Sequence, residues 1–315
     1  MVTELKSFYK KQYPKIGNVD KLLPKYKLLE LHEQLESNGQ LESYHAFNSI
    51  NETGIKINKQ KVLAYFRPEV EQQITNDNKI YTNYSIFTKT GRPSNTTGMI
   101  NFGALDNRQR RIVIPEFDVL VEFDYDAFHL RLIGELINYK FPQGSVHQHF
   151  AELYGCNYEQ SKKITFQQLY GGIDYQIAQS VEFYGKTQRF ISDLWKKFNV
   201  NNQIETYIYR RKLLKEKLTD ITKNKLFNYY IQAVETEVNT KTIMKLQEYL
   251  KDKQTNLILY LYDSFLFDVS KKDGGKTVRE IQEILEGTRY LSTMKVGFNY
   301  NNLKDVTEKF NEKYN

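Results

Sequence analysis

Cysteine is all but missing from this chain: Cys156 stands alone among 315 residues, which excludes an internal disulfide framework. One Cys and five scattered His give no zinc-ligand spacing. No stretch approaches about 18 uninterrupted apolar residues, and Met1-Val-Thr-Glu-Leu-Lys carries no apolar core of a signal peptide. Neither a membrane span nor export is expected, so the chain reads as soluble and cytoplasmic, in a reducing compartment. Internal repeats, low-complexity tracts and heptad runs are also missing, which leaves out solenoids and coiled coils.

What is present is enough apolar residue for a core, 40% of a chain long enough for one large or two moderate domains. Formal net charge is +7, with 24 Tyr and 19 Phe. Basic grooves lined with stacking rings suit nucleic acid. AT-rich coding would produce the same Lys, Tyr, Asn and Ile excess, so composition alone does not decide.

Residues 1 to about 65 read as helices, with Leu22, Leu23, Leu28, Leu29, Leu31 and Leu35 at helical spacing and Tyr44 to Ile50 repeating the pattern. Asn51-Glu-Thr-Gly54 stops that run. Residues 82–107, rich in Thr, Asn, Ser and Gly, read as loop or short strand. Residues 112–124 read as a strand with a turn at Pro115-Glu-Phe-Asp. Phe128 to Tyr139 and 145–200 read as helical with breaks near Gly155 and Gly171-Gly172, and a long helix covers about 226–251. An apolar hairpin around Asp263, a helix at 275–287 and a strand near Lys295-Val-Gly297 follow. The fold class expected is α+β: a small antiparallel sheet with a mainly helical insertion.

Two apolar segments each deliver an Asp to a strand end: Val119-Leu-Val-Glu-Phe-Asp124 and Leu257-Ile-Leu-Tyr-Leu-Tyr-Asp263. Taken singly, each Asp more often caps a turn at a strand end than binds metal. Taken as a pair, they suit two divalent cations about 4 Å apart for in-line phosphoryl transfer. Asp126, and with less support Glu122, share the alternation of Asp124. Between the two Asp lies Lys162-Lys-Ile-Thr-Phe166-Gln-Gln-Leu-Tyr170-Gly171, where Lys162, Phe166 and Tyr170 make one helical stripe. Such a stripe is ordinarily an amphipathic core face; flanked by the two Asp it suits a nucleoside triphosphate. The basic run Arg210, Arg211, Lys212, Lys215, Lys217, Lys223 and Lys225 is either a solvated face or a contact for template phosphates.

These residues carry a resemblance. Phe123-Asp124-Tyr125-Asp126-Ala-Phe-His129-Leu-Arg131 resembles motif A of the A-family DNA polymerases, Lys162 to Gly171 resembles motif B, and Tyr262-Asp263-Ser264 resembles motif C. Thr90-Gly91-Arg92, Arg110-Arg111, Val146-His147-Gln, Asn228-Tyr-Tyr-Ile-Gln232 and Lys295-Val-Gly297 extend the likeness over about residues 82–305. The resemblance implies a right-hand palm with helical fingers and a reduced thumb. Its segments are 1–65, a helical remnant of the exonuclease–polymerase junction; 66–111, the reduced thumb and entry to the palm; 112–145, palm; 146–225, fingers; and 226–315, palm and closing strand. Asp124 and Asp263 would hold two Mg²⁺, with Mn²⁺ as a substitute. Lys162 would be catalytic and bind the triphosphate together with Lys163, His147, His129, Phe166 and Tyr170. Arg92, Arg131, Asn228, Gln232, Arg210 and Arg211 would contact DNA.

Three departures stand out. His129 replaces the motif A Glu that helps exclude the ribose 2′-hydroxyl, Tyr262 and Ser264 flank the motif C Asp, and Tyr158 stands where an Arg normally precedes the motif B Lys. The expected activity is template-directed addition of dNTPs to a primer 3′ end, in bacterial or phage-infected cytoplasm. No proofreading domain is recognised and the thumb region is short, so a separate exonuclease or processivity subunit is an expected partner. A single-subunit RNA polymerase or primase-like enzyme, and an inactive DNA-binding accessory subunit, are the alternatives.

Overall fold

The computed structural model describes residues 2–95, 100–287 and 289–314. It is mixed α+β and separates into two compact units. The first comprises 1–88, 93–125 and 238–315, and the second 89–92 and 126–237.

The first unit is built on a five-stranded antiparallel sheet in the spatial order Lys304–Asp305, Ser292–Gly297, Val119–Tyr125, Ser264–Val269, Asn256–Leu261. Val119–Tyr125 is central, and Leu120, Val121, Phe123 and Tyr125 are buried. Burial on both faces explains why this segment is nearly continuous in apolar residues rather than strictly alternating. The expected strand over 112–124 is corrected at its start: regular pairing begins at Val119, while Gln109–Ile112 is a 3₁₀ turn and Val113 makes only an isolated bridge to Ile57. Pro115 has no N–H to give a ladder. The next two N–H groups, of Glu116 and Phe117, donate instead to the Asp268 carboxylate at 2.6 and 3.2 Å.

Asp268 is 2% exposed, and burial pushes its carboxyl up to about 6 against the pull of those two N–H groups. A proton bound in the folded state stabilises it fully below the ordinary value of 3.8 and is lost as pH rises through about 6. Asp268→Ala removes the acceptor of two part-buried N–H groups and should cost about 1 kcal/mol by urea denaturation. The variant should also lose the part of the decline in stability between pH 4 and 6 that belongs to this group; an unchanged denaturation midpoint would contradict the assignment.

Helices cover the N-terminal region as the leucine spacing requires: Lys25–Ser37 buries Leu31 and Leu35, and Leu41–Thr53 buries Tyr44, Phe47 and Ile50. The second of these ends at Gly54, whose φ of +72° and close approach to the Tyr81 ring leave no room for a side chain. Asn51, 2% exposed, receives the Tyr84 N–H at 2.7 Å and the Thr82 hydroxyl at 3.0 Å, which fastens this helix to the following segment.

The second unit is helical: Phe128–Leu136, Val146–Tyr154, Tyr158–Gly171, Tyr175–Ser180 and Glu182–Asn201, with Phe150, Phe183, Tyr184 and Phe198 fully buried. Its breaks are chemical. Gly155 closes one helix in the left-handed region, Asn157 and Gln160 form a capping box at the next start, and Asp174 caps the next. The Lys223–Leu250 helix gives its residues up to Glu237 to this unit and the remainder to the first. Among the described residues no helix is long and apolar enough to cross a membrane.

Candidate active site

In the first unit the sheet brings Asp124 and Asp263 to the same end of two neighbouring strands. Asp124 lies opposite Ser264 in register, and the next N–H, of Tyr125, donates to the Asp263 carbonyl at 2.9 Å. Asp263 sits in the two-residue turn between Leu261 and Ser264, where Tyr262 takes φ +67°. A non-glycine residue in that region needs outside support. Asn239 supplies it by donating to the Tyr262 carbonyl at 2.7 Å and the Tyr260 hydroxyl at 2.8 Å.

The pair is electrostatically loaded. Burial first, and then the charge of Asp263, push the Asp124 carboxyl up to about 6; Lys295 opposes and Glu122 adds to the rise. Lys295, on the neighbouring strand, places Nζ 3.6 Å from Asp124 and 3.4 Å from Glu122. Glu122, 8% exposed, also accepts from the Ser264 hydroxyl at 3.1 Å. Like charges that hold one another's ionisation back are relieved by a cation. The donors are hard oxygens from two side chains, which suits Mg²⁺, an ion that keeps water and phosphate oxygens in its remaining positions. Among the described residues no group of three or more His, Cys, Asp or Glu forms a fuller cage. Asp126 belongs to the second unit and pairs with Arg131 at 2.9 Å.

In the second unit the Tyr158–Gly171 helix exposes Lys162, Lys163, Phe166 and Tyr170 along one flank, while Ser161, Thr165, Gln168 and Leu169 face inward. Phe166 and Tyr170 stack with centroids 6.0 Å apart at 12° and are about 40% exposed, 43% and 40%. Rings this large left in water at helical spacing form a shelf for another flat group. Among the described residues no carboxylate pairs with Lys162 or Lys163. His147, 4% exposed, meets Phe166 with centroids 6.0 Å apart and Tyr158 edge-on. Burial, and then Lys162, hold its imidazole below the ordinary value, so it is neutral near pH 7.

His129 binds the Tyr170 hydroxyl through Nδ1 and approaches Glu235 to 3.1 Å through Nε2. Arg92 reaches the same Glu235 carboxylate, with Nε and Nη2 each at 3.3 Å. Asn228 and Gln232 lie four residues apart, half-buried, on the Lys223–Leu250 helix. Of the basic run, Arg210 is exposed, whereas Lys215, Lys223 and Lys225 bond to Asn199, Ser192 and the Asp220 carbonyl. Arg211 does not stand with an exposed phosphate surface: it is 7% exposed and packed on Gly91 beside Glu237. Arg131 is likewise engaged internally, by Asp126 and the Gly144 carbonyl.

Sequence reasoning passed over Lys295 as a counter-ion, and Glu235 and Glu237 altogether. A strand's period reveals the face a residue occupies but not its neighbour across the ladder, which hid Lys295. The two acids did carry a signal, since both stand between apolar residues in Ala233-Val-Glu-Thr-Glu-Val238.

The fold so defined is similar to one seen in a polymerase domain. Among solved structures the chain is similar to the POL domain of Pol1 from M. smegmatis, a complex with DNA primer-template and dNTP, with a TM-score of 0.62 and 16% identity over 74% of this chain and 50% of that one. The chain thus spans about half the length of that structure, and at this identity the likeness is one of fold. No family model and no curated protein matches the sequence.

Proposed function

We propose that this protein is a template-directed DNA polymerase that adds dNTPs to a primer 3′ end. The observation that carries the reading is the pair Asp124 and Asp263, side by side at the ends of neighbouring antiparallel strands, with burial first and Asp263 second making Asp124 ionise reluctantly. It is supported by the polymerase-domain fold and by the substrates in the M. smegmatis complex. In this reading the sheet is the palm, the helices of the second unit are fingers, and 66–111 is a reduced thumb.

Asp124 and Asp263 would hold Mg²⁺, or Mn²⁺ in its place. Bound there, the ions would supply charge stabilisation for the attacking and leaving oxygens. The other roles belong to side chains. Lys162 would neutralise the triphosphate and give a proton to the departing pyrophosphate, with Lys163 adding charge. His147, neutral and next to Lys162, offers a hydrogen bond to a phosphate oxygen rather than a second cation. Phe166 and Tyr170 stack on the incoming base and sugar. Arg92, Asn228 and Gln232 supply polar groups for the minor groove, whose acceptors barely depend on sequence.

The test is extension of a labelled primer-template with dNTPs or rNTPs, and with Mg²⁺ or Mn²⁺. Extension with dNTPs is expected, and Lys162→Ala should lower kcat/KM by about 10²-fold. Extension with rNTPs in preference would make the chain an RNA polymerase or primase-like enzyme. DNA binding without extension would make it an accessory subunit.

A further inference from the structure

Glu235 is 1% exposed, and a carboxylate so deep in a protein persists only when cations and donors surround it. Two side chains from separate segments do so here: Arg92, from 89–92, and His129, from the Phe128–Leu136 helix. The imidazole is held from both sides. His129 Nε2 lies 3.1 Å from the Glu235 carboxylate, in electrostatic contact without hydrogen-bond alignment, while on the other side of the ring Nδ1 shares a hydrogen bond with the Tyr170 hydroxyl. A chain of polar contacts therefore runs from Tyr170 to His129 to Glu235. At its outer end is the ring that stacks on Phe166 and is 40% exposed, so the anchor is buried and the piece it anchors is not.

We propose that Glu235 is a positioning residue: through His129 it sets the Tyr170 ring, and through Arg92 it ties down the 89–92 segment, so that the Phe166–Tyr170 shelf is preset for a nucleobase. This rests on the polymerase reading for what the shelf receives. A ring held by its hydroxyl loses rotational freedom before binding, which lowers the cost of stacking. Without the anchor the shelf would still exist, but it would have to be ordered by the nucleotide. The expected signature is a raised KM for dNTP with little change in kcat. A residue that merely maintains the fold would lower the amount of active enzyme and leave KM where it was.

The experiment has two arms, both on the full chain. In the first, 3-fluorotyrosine is placed at position 170 and its ¹⁹F resonance is compared in the otherwise unchanged protein, in Glu235→Gln and in His129→Asn. His129→Asn leaves the Arg92–Glu235 pair in place and serves if Glu235→Gln does not fold. A shifted or broadened resonance in the variants is expected, and an unchanged one overturns the link. In the second arm, Tyr170→Phe and Glu235→Gln should each raise KM for dNTP severalfold, and the double variant should be no worse than Tyr170→Phe alone. Independent, multiplying effects would overturn the coupling. The first arm needs no catalysis. A chain that extends no primer would overturn the polymerase reading and the nucleotide role together, while an unchanged resonance in an active enzyme would overturn the positioning role alone.

Discussion

Asp124→Asn and Asp263→Asn should each reduce single-turnover primer extension by about 10³-fold or more while leaving primer-template affinity within a few-fold. Asn keeps the volume and one carbonyl oxygen but removes the charge that would hold a divalent cation, and it creates no cavity in the sheet. Asp124→Asn should also change stability. Asp124 carries a carboxyl pushed up to about 6 in the fold from an ordinary 3.8, so in a chelated sample its proton favours the folded state. That contribution is complete below 3.8 and disappears as pH rises through about 6, above which the ionised Asp124 is a burden on the fold. At pH 7.5 in EDTA, Asp124→Asn should therefore melt at or slightly above the parent. The gain is small because the side chain is 38% exposed and Lys295 already offsets part of the repulsion. Loss of activity together with retained or raised thermal stability would separate a functional carboxylate from a structural one. Extension within tenfold of the parent in both variants would remove these residues from the chemistry.

Much of the fold could be read from the sequence because its signals are local. Leu31 and Leu35, or Tyr44, Phe47 and Ile50, announce their helices by spacing alone, and Gly54, Gly155 and Asn157 mark where helices stop or start. The apolar runs ending at Asp124 and Asp263 announce strands, and the sheet pairs them directly. What the sequence concealed was set by partners distant along the chain. The ladder before Val119 is interrupted because Asp268, about 150 residues away, collects the N–H groups of Glu116 and Phe117. Arg211 sits in a run of positive charge that reads as surface, yet its guanidinium is buried under Gly91. Charge patterning reports what a residue carries, not whether a distant acid has drawn it inside.

That acid is Glu237, and its removal should be among the most damaging single changes in the second unit. Glu237 is 1% exposed and accepts from the Thr206 hydroxyl and from backbone N–H groups of Ile208, Tyr209 and Arg211, so one carboxylate shapes the whole 206–211 turn. It also supplies the negative charge beside the Arg211 guanidinium, whose pKa burial pulls down to about 10 and which is therefore still charged at neutral pH. That guanidinium packs against the backbone of Gly91 so tightly that a Cβ there would lie 2.2 Å from Nη1, and Gly91 itself has φ +75°. Glu237→Ala leaves a buried cation without its counter-charge and several N–H groups without an acceptor, a combination that should cost about 3–5 kcal/mol. Glu237→Gln keeps one acceptor oxygen and the volume but loses the charge and turns the other oxygen into a donor, and should cost about 1–3 kcal/mol. Chemical denaturation of the three proteins measures both steps, and an Ala variant within 1 kcal/mol of the parent would contradict this account of the turn. Because Arg211 supports Gly91 and Gly91 precedes Arg92, the same variant should weaken primer-template binding even at temperatures where it remains folded. Arg210, exposed in that turn with φ +57°, would lose its fixed direction at the same time.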